Sequence, residues 1–545
     1  MKTFLFLLAI LFLTPAALAP TVLADDEGHH HHEEMTEVQV GIVHFPTSCA
    51  ASVQKSIERG VAMLHSFWYE EAEKQFKQIE KDDPGCAIAH WGVAMSTWHQ
   101  LWNHPEMATL EHGAAELKEA KSLHATARER GYINAMTAFY EPADRPHQKR
   151  AGAYSKAMEK VSRQNPDDHE AKAFYALSLL AAEPLHDKTN AYRLKAAAIL
   201  ENLFAEEPEH PGVAHYLIHT YDRPDMAQKG LPAARKYAQL APSAPHALHM
   251  PAHIFARLGL WQDDIASNVA SIAATQKEAA MHMGGEGHQF HAMDFIVYAY
   301  LQTGREQDAH KIIDEVRAMP PMKDMYDMGF DPRMFALTAF PASYALELHD
   351  WNSAAQLPVV EGASDFMHAV THTARSIGAA HMGNAEQVKK EIAELEAAHK
   401  KLESKKKDDD GQYEGVSDDV VIAKAWLAFA EGNSDEAVKQ LRPIADKEEG
   451  EAEASEGIPV HEMIADMQMQ SKHPGQALAE YESTLKKDPG RFNALYGAAT
   501  AAAALGKIDK AHEYYAQIVK NCENSTSERA ELKRSREEVQ MRAGK

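Results

Sequence analysis

The chain has 545 residues, a formal charge of −24 at neutral pH, and only three cysteines beside 32 histidines. So few cysteines exclude a disulfide framework, and an acidic balance of this size argues against nucleic acid as a partner, because phosphate binding needs Lys/Arg patches. The length suits three or four ordinary domains or one long solenoid.

Met1 and Lys2 precede an apolar run from Phe4 to Leu13, and Val22-Leu23-Ala24 or Ala17-Leu18-Ala19 supplies small residues for cleavage. That order is a secretory signal peptide over residues 1–24. The run is too short to span a bilayer, which takes about 20 apolar residues. The expected location is therefore periplasmic or secreted, with no transmembrane segment. Residues 25–44, with His29 to His32 set among acids, read as a disordered segment able to capture metal only loosely. In an oxidising compartment Cys49 and Cys86 either bridge or sit as two small buried residues, leaving Cys522 over.

Beyond this point helical signals dominate, with apolar residues three and four apart and few β-branched runs. Asp83-Pro84 leads into Ala87-Ile-Ala-His90-Trp91-Gly92. Pro245 opens a helical stretch that Gly259 closes before Trp261 begins another. Gly304 through Ala309 and Gly432 through Ala437 repeat the turn. Asp488-Pro489 leads to Ala494-Leu-Tyr-Gly497 and then to Leu505-Gly506 and Ala511. These residues resemble the tetratricopeptide repeat (TPR) pattern of an exported bacterial protein, in which small residues let two helices pack closely. The resemblance covers roughly residues 50–110, 165–315 and 415–520. It implies an all-α, TPR-like helix-turn-helix solenoid, a right-handed superhelix whose first helices line a concave surface. A charge run over residues 400–415 divides an expected N-terminal superhelix (45–399) from C-terminal repeats (416–545), and Asp446 to Glu456 is a second acidic interruption.

The histidines follow this repeat. His215 and His219 are four apart, as are His249 and His253, so each pair shares a helix face. Each member of the second pair lies 34 residues after its counterpart, which is the TPR period. In TPR proteins that bind ligands in the groove these helix positions face the concave surface, so the resemblance implies four imidazoles in one groove. Aligning Gly259 with Gly304 places His246, His249 and His253 opposite His291, Asp294 and Tyr298. The intervening insertion adds His282, Glu286 and His288.

Neutral imidazoles at i,i+4 spacing suit zinc or copper, with His246, His288, His291, Asp294 or Glu286 completing the shell and Asp222 orienting a ring. The competing reading has these rings bind a peptide or organic acid, or stack on Tyr216 and Phe255. Pro251, between His249 and His253, must start or kink the helix and could part that pair. Weaker candidates are His90 with Trp91, the cluster of Trp98, His99, Trp102 and His104, and the loop Glu183-Pro-Leu-His186-Asp187. Met319, Met322, Met325 and Met328 recur every three residues, either as a gap-filling apolar stripe or as soft copper ligands.

Three functions compete on this reading. The first is an exported scaffold binding copper or zinc in its groove, and the second is a peptide- or protein-binding scaffold in envelope assembly. The third is a metal-dependent enzyme with Glu286 or Asp222 as base, which ranks last because TPR folds seldom carry catalysis.

Overall fold

The computed structural model describes residues 39–101, 104–184, 187, 189–281, 286–322, 331–403, 412–448 and 457–543. The signal peptide, His29 to His32, Trp102, His186, His282, Met325, Met328 and most of the two charged interruptions lie outside them. Among the described residues the chain is helical throughout, without a strand, and each helix packs on its neighbour in sequence as in a TPR-like solenoid. No described helix is long and apolar enough to cross a membrane.

Close helix pairing rests on small residues. A Cβ on Gly92 would lie 2.3 Å from the Phe76 ring, and one on Gly497 would lie 2.2 Å from the Tyr481 ring. The turn glycine Gly259 has φ +65°, where side chains are strained, and a Cβ there would meet the Pro489 carbonyl oxygen at 2.2 Å. That contact reflects a long-range junction, because the C-terminal repeats dock onto the central ones. Trp261 Nε1 donates to the Gly490 carbonyl at 3.2 Å, and the Phe492 amide donates to Gln302 Oε1 at 2.8 Å. The fully buried Arg491 ion-pairs with Glu462 at 2.7 Å and Glu347 at 2.8 Å.

Two expected boundaries differ from what the chain does. Val40 and Val43, in the segment read as disordered, are each only 5% exposed, and Phe45 beyond them stacks on Trp91. Val40, Val43 and Phe45 let this stretch seal against the repeats. Lys400 and Lys401, read as the start of a linker, sit in the helix Ala385–Leu402, whose Leu395, Ala398 and Leu402 are buried. One hydrophobic core runs across the charged run, joining Leu395 and Leu402 to Val416, Val420 and Trp426. Charge content alone marked a boundary there, whereas the i,i+3,i+4 apolar spacing determines the packing.

Cys49 and Cys86 form a disulfide, and Cys522 is buried and free. Trp98 is buried and stacked on Phe139 at 3.6 Å, which makes it a packing residue. Met319 and Met322 pack against the core around Phe290 and Ile313, matching the apolar-stripe reading for these two.

Two predictions follow from this packing. Gly497→Ala should force the Tyr481 ring out of its seat and lower stability by about 1–3 kcal/mol, read from thermal or urea unfolding. His90 contacts Glu116 at 2.7 Å and Glu80 at 3.0 Å, and these hydrogen bonds raise it from 6.5 to about 9. A raised folded value means the stabilisation is complete below pH 6.5 and fades as pH climbs through about 9. His90→Gln should therefore destabilise the protein in mildly acidic buffer and match the parent in strongly alkaline buffer; a pH-independent difference would remove the ion-pair explanation.

Candidate metal centre

Three consecutive helix pairs build the histidine cluster. The first helix of the first pair is Pro211–Tyr221, and every residue in it except His219 is buried. The next pair begins with two short segments, Pro245–His249 and Pro251–Arg257, followed by Trp261–Ala280. The third begins with Glu286–Gln302. Proline opens the first three of these helices at a position where its missing amide hydrogen costs nothing.

Pro251 does not part His249 from His253. Met250 has φ −51° and ψ −35°, so the chain passes from one short helix to the next in helical geometry. The i,i+4 relation survives, and His249 Nε2 lies 3.0 Å from His253 Nε2.

The six histidines sort into two triads. In one, His253 Nε2 faces both His249 Nε2 at 3.0 Å and His291 Nε2 at 3.2 Å. In the other, one ring nitrogen each from His215, His219 and His246 lies within 4.8 Å of the rest, with His215 Nε2 3.1 Å from His246 Nε2. His215, His246 and His249 are buried, His219 and His253 half-buried, and His291 exposed. The cluster thus runs from the protein interior to one exposed ring, rather than lying wholly along an open surface.

Hydrogen bonding settles the proton on several of these rings. Asn268 Nδ2 donates to the Asp264 backbone carbonyl at 3.1 Å and to Asp264 Oδ1 at 2.7 Å, which leaves Asn268 Oδ1 as the acceptor facing His249 Nδ1 at 2.6 Å. His249 therefore carries its hydrogen on Nδ1. His253 Nδ1 points at the Asp222 carboxylate at 2.7 Å, and that carboxylate is also held by Arg257 at 2.9 Å. His215 Nδ1 donates to the His65 carbonyl at 2.6 Å. On His215 and His249 this leaves Nε2 as the acceptor lone pair.

Burial pushes His215 down to about 3 and holds His219, His246 and His249 well below the ordinary histidine value, so these rings are neutral at neutral pH. The His249 Nε2 lone pair consequently faces His253 Nε2 at 3.0 Å, and His291 Nε2 lies 3.2 Å from the same His253 nitrogen. His219 Nε2 is itself buried without a hydrogen-bond partner among the described residues. Such arrangements cost free energy unless a cation lies between the nitrogens.

Zinc or copper fits the spacing. Nitrogens about 2.0–2.1 Å from a tetrahedral ion lie about 3.3–3.4 Å apart, and the observed 3.0–3.2 Å separations need only a slight opening.

The remaining expected residues fall around these triads. Asp222 is the outer partner of His253, not a ligand in either triad. His288 is buried, its ring 4.9 Å from His246, and it bonds the Phe67 backbone. Asp294 is half-buried one turn beyond His291 and joins neither triad. Glu286 opens its helix, and its side chain lies outside the described residues.

Several residues of the site had no sequence signal strong enough to single them out. Phe67 is fully buried with φ +52°, and its ring lies 4.3 Å from His215, 5.6 Å from His219 and 5.3 Å from His246. A left-handed non-glycine residue costs roughly 1–3 kcal/mol, so the surrounding packing must hold it there. Behind it, Glu170 bridges His65 at 2.6 Å and His210 at 2.9 Å, and His65 Nδ1 accepts from the Tyr216 hydroxyl at 2.8 Å. Burial alone would raise Glu170, but His210 and His65 hold it far below the usual carboxylate range. Burial keeps His65 lowered, whereas against the same burial Glu170 raises His210. His65 also supplies the carbonyl that orients His215, so this buried set is a foundation for one triad. Only the i,i+4 pair Asp264 and Asn268 was legible as a shared helix face, and nothing marked that face as turned toward His249.

Residues 468–534 match the family model described as tetratricopeptide repeat, and the described residues form an all-α, TPR-like solenoid. No curated protein matches it. Similar solved structures include the human IFIT1 dimer with m7Gppp-AAAA, at 14% identity and TM-score 0.34, covering 84% of this chain and 94% of that one. Another is the Cut9–Hcn1 hetero-tetramer of the APC/C, at 13% identity and TM-score 0.33, covering 82% of this chain and 76% of that one. The TPR domain of P58(IPK) aligns at 12% identity and TM-score 0.21, over 84% of this chain and all of that one. Likenesses at this level carry nothing about function.

Removing Glu170 tests the foundation. Glu170→Ala strands His65 and His210 without their shared acceptor and should cost about 3–5 kcal/mol of unfolding free energy in urea titration. A loss below 1 kcal/mol, roughly the worth of a surface pair, would mean that the buried bridge does not brace the site.

Proposed function

We propose that the protein is an exported TPR scaffold that binds a transition metal, copper or zinc, through its period-matched histidines. The observation carrying this reading is the pair of Nδ1-anchored rings, His249 and His253, whose Nε2 nitrogens converge at 3.0 Å with His291 Nε2 3.2 Å from His253. His249, His253 and His291 would hold the ion, with Asn268 and Asp222 fixing the first two rings. An ion so placed would take both Nε2 nitrogens as ligands. Export is supported by the pattern of residues 1–24 and by a disulfide of the kind that persists in oxidising compartments.

A protein partner is the second reading, supported by the repeats themselves, since TPR solenoids present extended surfaces. A partner captured equally well with and without chelator would assign that role to the scaffold independently of metal.

The metal reading is tested on the full-length protein, stripped of metal and titrated with copper and with zinc while bound metal is measured by elemental analysis. The parent should retain copper or zinc, and His249→Ala/His253→Ala should lose the ion at this triad. Asn268→Leu, which only frees the His249 ring to change tautomer, should weaken binding about 10–100-fold. A parent protein that takes up neither metal ends this proposal.

A further inference from the structure

The second triad adjoins the first. The His246 and His249 rings are 6.2 Å apart, and so are the His219 and His253 rings, so the two sets touch along two edges. Each set has its own anchoring: the His65 carbonyl for His215 in one, Asn268 and Asp222 for His249 and His253 in the other. Neither set borrows a ligand nitrogen from the other. The buried, unpartnered His219 Nε2 marks the first set as lacking a partner of its own.

Resting on the metal-binding reading above, we infer that the protein holds two metal ions side by side, one in each three-histidine set, and that the pair is copper in the cuprous state. Charge is the argument for the oxidation state. Both sets offer neutral nitrogens, and neither includes a carboxylate ligand. Asp222, the carboxylate bonded to His253, already answers Arg257. Glu170, behind the deeper set, is already engaged by His65 and His210. Two divalent ions would place four positive charges in a largely buried site with little to offset them, whereas two monovalent ions halve that load. Imidazole is a good copper ligand, and three nitrogens satisfy a low-coordinate ion.

The test uses the full-length protein and cuprous copper supplied in competition with a chromophoric chelator, followed by air oxidation and electron paramagnetic resonance. The parent should bind two equivalents, and the oxidised form should show two interacting spins as broadened or lost intensity. His291→Gln and His219→Gln, one in each set, should each bind one equivalent and show an uncoupled single-copper signal. Circular dichroism checks that both variants fold, and the parent's stoichiometry alone decides the matter if either does not. One equivalent in the parent, or two without spin coupling, overturns the pair and leaves the single-site reading standing. Uptake of zinc but not copper overturns the cuprous assignment alone. Failure to take up any metal removes both readings.

Discussion

The central histidines each spend one ring hydrogen on a fixed acceptor, and the rest of the site depends on that commitment. Asn268 can accept from His249 only because its amide nitrogen is held by Asp264. Asp222 can take the His253 hydrogen and keep its own charge because Arg257 shares it. With its Nδ1 hydrogen given to Asn268, His249 keeps Nε2 as an acceptor, and helical spacing turns it toward His253 Nε2.

Holding that arrangement takes most of the fold. Phe67, in a conformation normally left to glycine, wedges its ring among three histidines. The Glu170 bridge ties helix Gln54–His65 to the histidine-bearing helix Pro211–Tyr221 across 105 and 40 residues of sequence. From the other side, Arg491 and its two glutamates dock the C-terminal repeats against the helix that carries His291. A TPR solenoid ordinarily displays its inner helices to a ligand; here much of the chemistry is sealed inside, and His291 is the ring exposed at its edge.

This burial bears on what kind of site the protein offers. A metal reached through one exposed ring, backed by neutral rings and braced by tight packing, would exchange slowly and change geometry little. Those properties suit retention or controlled hand-over better than rapid turnover. The packing costs of Phe67 and of the buried glutamate bridge are the sort of strain that folds keep where a site demands it.

The helix pairs, their glycine turns and the 34-residue register of His215, His219, His249 and His253 could be read from the sequence, because repeat period and helical period are local properties of the chain. Pro251 looked disruptive only because a proline between two ligands is ambiguous until the preceding residue's dihedral angles are known. The division of six rings into two triads, the entry of His291 into the outer one and the exclusion of Asp294 were settled by tertiary structure. So were the roles of Phe67, His65, Glu170, His210 and Asn268. Their relation to the site spans tens to hundreds of residues, and no spacing rule encodes which buried surfaces meet when helices from separate repeats stack. Side-chain periodicity says which face of a helix turns inward, while the angle and offset between helices decide which atoms converge there.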